Sequence, residues 1–258
     1  MILDDIVAAK RLDLKMEEQA VPLPQLIRQA QEAGPVRDFC AALAASGLSV
    51  IAEVKRASPS QGLIAGEFDP VGIAARYEAG GAAAVSVLTE RHWFQGCNRY
   101  LTQVRAAIGL PVLRKDFIID PRQVIGARAI GADAILLIAA ILDDRLMREL
   151  SALAAEYSLA CLYEAHTETE VKRCADCGAA IIGINNRNLK TMAVDLAAFE
   201  VLRRHVPAGV LAVAESGIHT AGDACRMREA GADAILVGES LMRALDAAAA
   251  LRELRGSP

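Results

Sequence analysis

Several short apolar runs in this chain end in groups that can move protons. The run Ser49 to Val54 carries Glu53 and is followed by Lys55, Ser58 and Ser60. In PVLRKDFIID, Pro111 to Arg114 runs into Lys115-Asp116-Phe117. Leu159 to Tyr163 is followed by Glu164, Ala180 to Ile184 by Asn185-Asn186-Arg187, and Val210 to Ala214 by Glu215-Ser216-Gly217. Ala234 to Val237 is followed by Gly238-Glu239-Ser240. An ammonium beside carboxylates can donate and accept protons within one turnover. Glu53 and Lys55, two apart on a strand, point to one face. A buried ion pair alone adds little net stability, so several such charges gathered in one place mark a site. Ser216-Gly217 and Gly238-Glu239 have a different use, because glycine lets backbone N–H groups approach an anion such as phosphate.

These groups need a scaffold that brings six strand ends together. Eight apolar runs qualify as strands: the six above, with Ala83 to Leu88, which leads into Thr89-Glu90, and Ala134 to Ile138. Helical periodicity fills the gaps, for example over Val71 to Ala79, Arg122 to Ile130, Arg145 to Tyr157 and Ala221 to Ala230. A short phrase recurs at Gly81, Gly131, Gly178 and Gly231, and the six residues GADAIL are identical at 131 and 231. Each phrase places a glycine just past a helix and a strand directly after it.

Eight buried strands alternating with helices predict a closed (β/α)8 barrel in the α/β class, which needs about 250 residues. An open doubly wound sheet would carry a G-x-G-x-x-G turn after its first strand, and none is present. Residues 1–48 read as an N-terminal helical extension, with Leu3, Ile6, Val7, Leu26, Ile27, Phe39 and Leu43 facing the barrel. The extension has too little apolar surface for its own core, so residues 1–258 form one expected domain.

Composition narrows the function. The chain is 53% hydrophobic and 23% charged, enough to bury a sizeable core. Its 28 Lys+Arg against 32 Asp+Glu give a net charge of -4 with no basic run, which argues against nucleic acid and anionic membranes as partners. The longest apolar run, 134–142, is far shorter than the roughly 20 residues of a membrane span. The N-terminus lacks the pattern of a secretory signal, so a cytoplasmic location is expected. Cys174-Ala-Asp-Cys177 stands alone, without a second metal-ligand pair, so the cysteines read as reduced, packed thiols and no metal is assigned.

With these segments in view, the chain resembles the indole-3-glycerol phosphate synthases of tryptophan biosynthesis. The resemblance runs almost end to end, through ILDDIVAAK, IAEVKRASPS, VLTE, PVLRKDF, IGINNRNL, AESGI and LVGESLM. It implies closure of a ring in 1-(2-carboxyphenylamino)-1-deoxyribulose 5-phosphate, with loss of carbon dioxide and water and without a cofactor. It also implies the roles of individual residues. Lys115 matches the main general acid, Glu164 the base, Glu53 a second carboxylate that stabilises a cationic intermediate, and Lys55 the lysine that binds the substrate carboxylate. Asn185 and Ser216 match polar residues of the pocket, and Arg187 lies near Asn185. Phe94, Phe117, Leu136 and Leu189 match an apolar wall around the aromatic ring. Ser58, Gly217, Gly238 and Glu239 match the phosphate end.

Two positions depart from the family pattern, Cys97 in place of a serine and Tyr163-Glu164-Ala165 in place of Val-Glu-Val. A sugar-phosphate isomerase on the same scaffold is an alternative, but it would be expected to use a Cys and Asp pair at strand ends. A non-catalytic barrel that binds a phosphorylated metabolite is another, and it predicts a lost acid or base. His166, beside Glu164, reads equally as a helix start or a pocket residue. Family membership leaves open any association with other tryptophan-pathway enzymes.

Overall fold

A computed structural model describes residues 2–45, 47–64, 66–189 and 191–256. Its eight parallel strands are β1 (Ser49–Val54), β2 (Ala84–Leu88), β3 (Val112–Lys115), β4 (Ala134–Ile138), β5 (Ala160–Ala165), β6 (Ile181–Asn185), β7 (Leu211–Glu215) and β8 (Ala234–Val237). Each pairs with its neighbours in chain order, and β1 pairs with β8, so the sheet closes into a barrel without edges. The expected (β/α)8 fold is the fold observed.

Alternation along the strands creates two cores. Inward residues such as Ile51, Leu113, Leu162, Ile181, Val213 and Leu236 fill the barrel. Outward residues such as Val50, Val85, Ile135, Ile182 and Ile235 pack beneath the surrounding helices. Those helices include α4 (Pro70–Ala79), α5 (Asn98–Ala107), α6 (Pro121–Ala129), α7 (Asp144–Glu156), α8 (Glu168–Asp176), α9 (Ala197–Leu202) and α10 (Ala221–Glu229), then the short α11 (Glu239–Arg243) and α12 (Ala247–Leu254). Side chains of Asp69, Asp120, Asp143, Thr167, Thr220 and Asp246 cap six of them by accepting backbone N–H groups of the first turn.

The repeated phrase has a physical explanation. Gly81, Gly131, Gly178 and Gly231 all lie at φ between 79° and 90°, the left-handed conformation that ends a helix. In both copies of GADAIL the aspartate reaches sideways to the preceding strand. Asp133 Oδ2 accepts Val112 N–H at 2.8 Å, and Asp233 Oδ2 accepts Ala212 N–H at 2.8 Å. The carboxylates satisfy backbone donors at the N-terminal rim, so this repeat holds the barrel together rather than serving its mouth.

The extension forms α1 (Ile2–Ala20), α2 (Leu23–Glu32) and α3 (Phe39–Leu43). Phe39 and Leu43 are buried against the inner core and plug its N-terminal end. α2 packs on α6. At the other end, Lys10 of α1 is buried and pairs with Asp116 just past β3, at 2.8 Å. One extension thus closes the bottom of the barrel and reaches over its top.

Several strands run one or two residues past their expected ends. Lys115, Glu164, Asn185 and Glu215 are strand residues, not loop residues. A polar side chain does not end a strand whose backbone still finds partners, and these side chains project into the barrel interior, where alternation sends them. The loop after β1 also folds into a small hairpin, Ala57–Ser58 against Gly62–Leu63, that the sequence did not signal.

Candidate active site

At the C-terminal mouth, the ammonium of Lys115 is the centre of a buried cluster. Its Nζ donates to Glu215 Oε2 at 2.6 Å and to Glu164 Oε2 at 3.2 Å. Glu53 Oε1 lies 2.8 Å from Lys55 Nζ, and Ser86 Oγ approaches Glu53 Oε2 at 3.5 Å. The backbones that carry these groups are adjacent in register, with Glu164 opposite Gly183 and Asn185 opposite Glu215.

Electrostatics sorts the roles. Burial acts to lower the pKa of Lys115, but Glu215, Glu164 and Glu53 outweigh it and hold the amine protonated, above the ordinary lysine value. Burial raises Glu164 and Glu53, yet Lys115 and His166 around the first, and Lys55 and Lys115 around the second, pull both below the usual carboxylate range. Glu215 goes the other way. Burial outweighs its bond to Lys115, with repulsion from Glu164 added, and its pKa rises to about 7. At neutral pH Lys115 is therefore an ammonium, Glu53 and Glu164 are ionised, and Glu215 is poised to take or give a proton.

One cavity gathers the candidates. Glu53, Lys55, Ser58, Phe94, Lys115, Phe117, Leu136, Glu164, Asn185, Arg187, Leu189, Ser216 and Glu239 all line it, and Gly217 and Gly238 adjoin it without lining it. Phe94 and Phe117 form one wall, their ring centroids 6.2 Å apart. Asn185 Oδ1 accepts the Arg187 N–H at 3.0 Å and so shapes the turn after β6. Arg187 reaches Met192 O at 3.2 Å and helps close the same turn.

Ser216 and Gly217 are consecutive left-handed residues, at φ 67° and 78°. This conformation is costly for serine, and Asn186 holds it by donating Nδ2–H to Ser216 O at 3.1 Å. Gly238 lies close against the Glu53–Lys55 pair. A Cβ there would lie 2.7 Å from Glu53 Oε1 and 3.1 Å from Lys55 Nζ. With Ser58 and Glu239 on the flanks, these two turns form a small-residue rim opposite the aromatic wall.

Several contributors had no role assigned from the sequence. Glu215 was within reach, because it lies two residues past the inward Val213 and alternation sends it to the same face. Glu90 is almost wholly buried and its carboxylate accepts the N–H groups of His92, Trp93 and Phe94 at 2.8 to 3.0 Å, which fixes the loop carrying Phe94. Ile2, Leu3 and Ile6 of α1 line the cavity as well. Arg114 and Asp116 join Thr89 and Lys10 in a buried network behind Lys115. His92 and His219 are exposed, whereas His205 is only partly so and pairs with Glu168 at 3.3 Å. The six cysteines are free thiols.

Fold and site together define a class: a (β/α)8-barrel enzyme whose ionisable groups converge at the C-terminal mouth. Comparison with known proteins narrows this. The profile of the indole-3-glycerol phosphate synthase family matches residues 3–254, and the chain belongs to that family. It is 48% identical to the indole-3-glycerol phosphate synthase of Albidiferax ferrireducens, over 98% of this chain and 97% of that one. It is 46% identical to indole-3-glycerol phosphate synthase 1 of Streptomyces coelicolor, over 98% and 94%. Among solved structures, thiamine phosphate pyrophosphorylase from Pyrococcus furiosus superposes with a TM-score of 0.62 at 18% identity, covering 85% of this chain and 96% of that one. At that identity the likeness is one of fold alone.

Proposed function

We propose that this protein is an indole-3-glycerol phosphate synthase that closes the ring of 1-(2-carboxyphenylamino)-1-deoxyribulose 5-phosphate by general acid and base catalysis. The observation that carries the reading is the Lys115 ammonium, buried between Glu164 and Glu215 at the head of a cavity with an aromatic wall and a glycine-rich rim. The substrate's anthranilate ring stacks on Phe94 and Phe117, with Leu136 and Leu189 completing the wall. Its phosphate lies toward Ser58, Gly217, Gly238 and Glu239, where backbone N–H groups receive it.

In this scheme the ring carbon bearing the carboxylate attacks the ketone carbon, and Lys115 gives its proton to the developing alkoxide. Lys55 holds the substrate carboxylate, while Glu53 stabilises the cationic ring. Carbon dioxide then leaves, and its bonding pair restores the aromatic system. Glu164 removes the proton from the carbon next to nitrogen as the new hydroxyl, protonated by Lys55, departs as water. Ser216 and Asn185 orient the chain between the two ends, and Arg187 supports Asn185. Glu215 adjusts the acid: when it takes a proton, Lys115 loses one anionic partner and releases its own proton more readily.

The substrate is a phosphorylated small molecule, and the net charge of -4 speaks against nucleic acid as a partner. Among the described residues no helix is long and apolar enough to cross a membrane. The burial of Phe39, Leu43 and Lys10 against the barrel supports residues 1–258 acting as one domain, with residues 1–48 as its extension. The test is direct: purified protein and the carboxyphenylamino-deoxyribulose phosphate, without metal or cofactor, give rising indole fluorescence, and a flat trace rules the reading out.

A further inference from the structure

Behind Glu164 sits a histidine that the scheme above leaves unused. His166 lies two residues on, at the exit of β5, so its side chain returns to the same side. Its ring lies between two carboxylates, with Nε2 3.5 Å from Glu164 Oε1 and Nδ1 3.5 Å from Glu170 Oε2. Neither ring nitrogen reaches solvent. Glu170 is itself fixed, since it accepts His166 N–H at 2.7 Å and its own N–H is capped by Thr167 Oγ1 at 3.2 Å.

A neutral imidazole has one N–H and can donate to only one of these carboxylates. An imidazolium presents an N–H to each, at 3.5 Å, the reach of an ion pair rather than of a formed hydrogen bond. With two ionised neighbours and both nitrogens buried, the charged form is the one that leaves no buried anion unmatched.

The geometry points to His166 as a positioning residue of the reaction: a buried imidazolium, clamped by Glu170, that aims Glu164 and keeps it ionised to act as a base. The other charges around the ring agree with this. Glu215 adds a further carboxylate from β7, and Asp4 and Arg11 of α1, with Arg187 and Asp195 after β6, line the groove beyond it. Burial disfavours the charged ring, but Glu170 and Glu164 outweigh it and raise its pKa above the ordinary histidine value. The inference rests on Glu164 being the base.

Two variants and one resonance test it. His166→Gln keeps an amide within reach of Glu164 but removes the charge, and Glu170→Gln keeps the acceptor for His166 N–H while removing the clamp's charge. The acid limb of the kcat pH profile is expected to move up by about one pH unit in His166→Gln, an opposite charge at this range being worth roughly that much. KM should change little, and Glu170→Gln should move the limb the same way by less. In the wild-type protein the His166 imidazole, assigned among four histidines by its absence in His166→Gln, should titrate above ordinary histidine and fall in Glu170→Gln. An active His166→Gln protein with an unmoved acid limb overturns the proposal, as does an imidazole that titrates at or below the ordinary value. Neither result touches the synthase reading, which fails only if the wild-type protein makes no indole product.

Discussion

Lys115 Nζ lies 2.6 Å from Glu215 Oε2, although 100 positions separate the two residues in the chain. The bond crosses the barrel mouth from β3 to β7 and joins the strongest cation of the site to its most weakly acidic carboxyl. Glu215 Oε2 has that partner, while Oε1 is buried without one. A carboxylate left half-satisfied away from water favours its protonated form, which fits a pKa of about 7.

Replacing Glu215 with Gln therefore alters the pH dependence of both stability and activity. The folded pKa lies above the ordinary 4.5, so the stability this group contributes is complete below that value and lost as pH rises through about 7. Gln imitates the protonated form. The difference in Tm, variant minus wild type, should widen from pH 5 to pH 8 by an amount on the order of 3 kcal/mol, or roughly 6–12 °C. Turnover of the variant should hold up better than that of the wild type over the same range, because Lys115 then has one anionic partner fewer at every pH. Thermal melts at the two pH values, with kcat beside them, check both signs.

Gly183 makes room for that carboxyl. A Cβ at 183 would lie 2.1 Å from Glu215 Oε1 and 3.3 Å from Leu162 Cδ1. Gly183→Ala should cost about 1–3 kcal/mol through overpacking and lower kcat by pushing Glu215 off Lys115. The double variant Gly183→Ala, Glu215→Ala should lose less stability than the two single losses combined, because the clash is then gone. Denaturant melts of the four proteins in the cycle measure this.

Lys10 tests the link between extension and site. Its ion pair with Asp116 is almost wholly buried, and Asp116 keeps Arg114 and Thr89 if the lysine is lost. Lys10→Met should therefore cost about 3 kcal/mol, the lower end for breaking a buried pair, and lower Tm by roughly 6–12 °C. A melt of the variant is the measurement, and a Tm within 2 °C of wild type contradicts the link.

Most of the barrel was legible because its signals are local. Apolar runs mark strands, the left-handed glycines at 81, 131, 178 and 231 mark helix ends, and their spacing leaves room for one helix per strand. Glu53, Lys55, Lys115 and Glu164 stood out because charge at the end of a buried strand is rare. What stayed hidden depends on contacts between distant segments. Glu90 looks like any strand-end carboxylate until three loop N–H groups are seen to converge on it. Asn186 reads as one of a pair of amides, and only the fold shows it bracing Ser216. Ile2, Leu3 and Ile6 have the spacing of any amphipathic helix, and nothing local says that the helix lies over the cavity.

Lys115→Met carries the most direct test. The substitution removes the ammonium and leaves an unbranched apolar side chain of similar length, with Glu164 and Glu215 still in place. Indole fluorescence under saturating substrate should show kcat reduced by at least about 10²-fold, the lower bound for losing a positioned proton donor, while a non-reactive substrate analogue still binds. A Lys115→Met protein that turns over within tenfold of the wild-type rate contradicts the assignment of Lys115 as the acid.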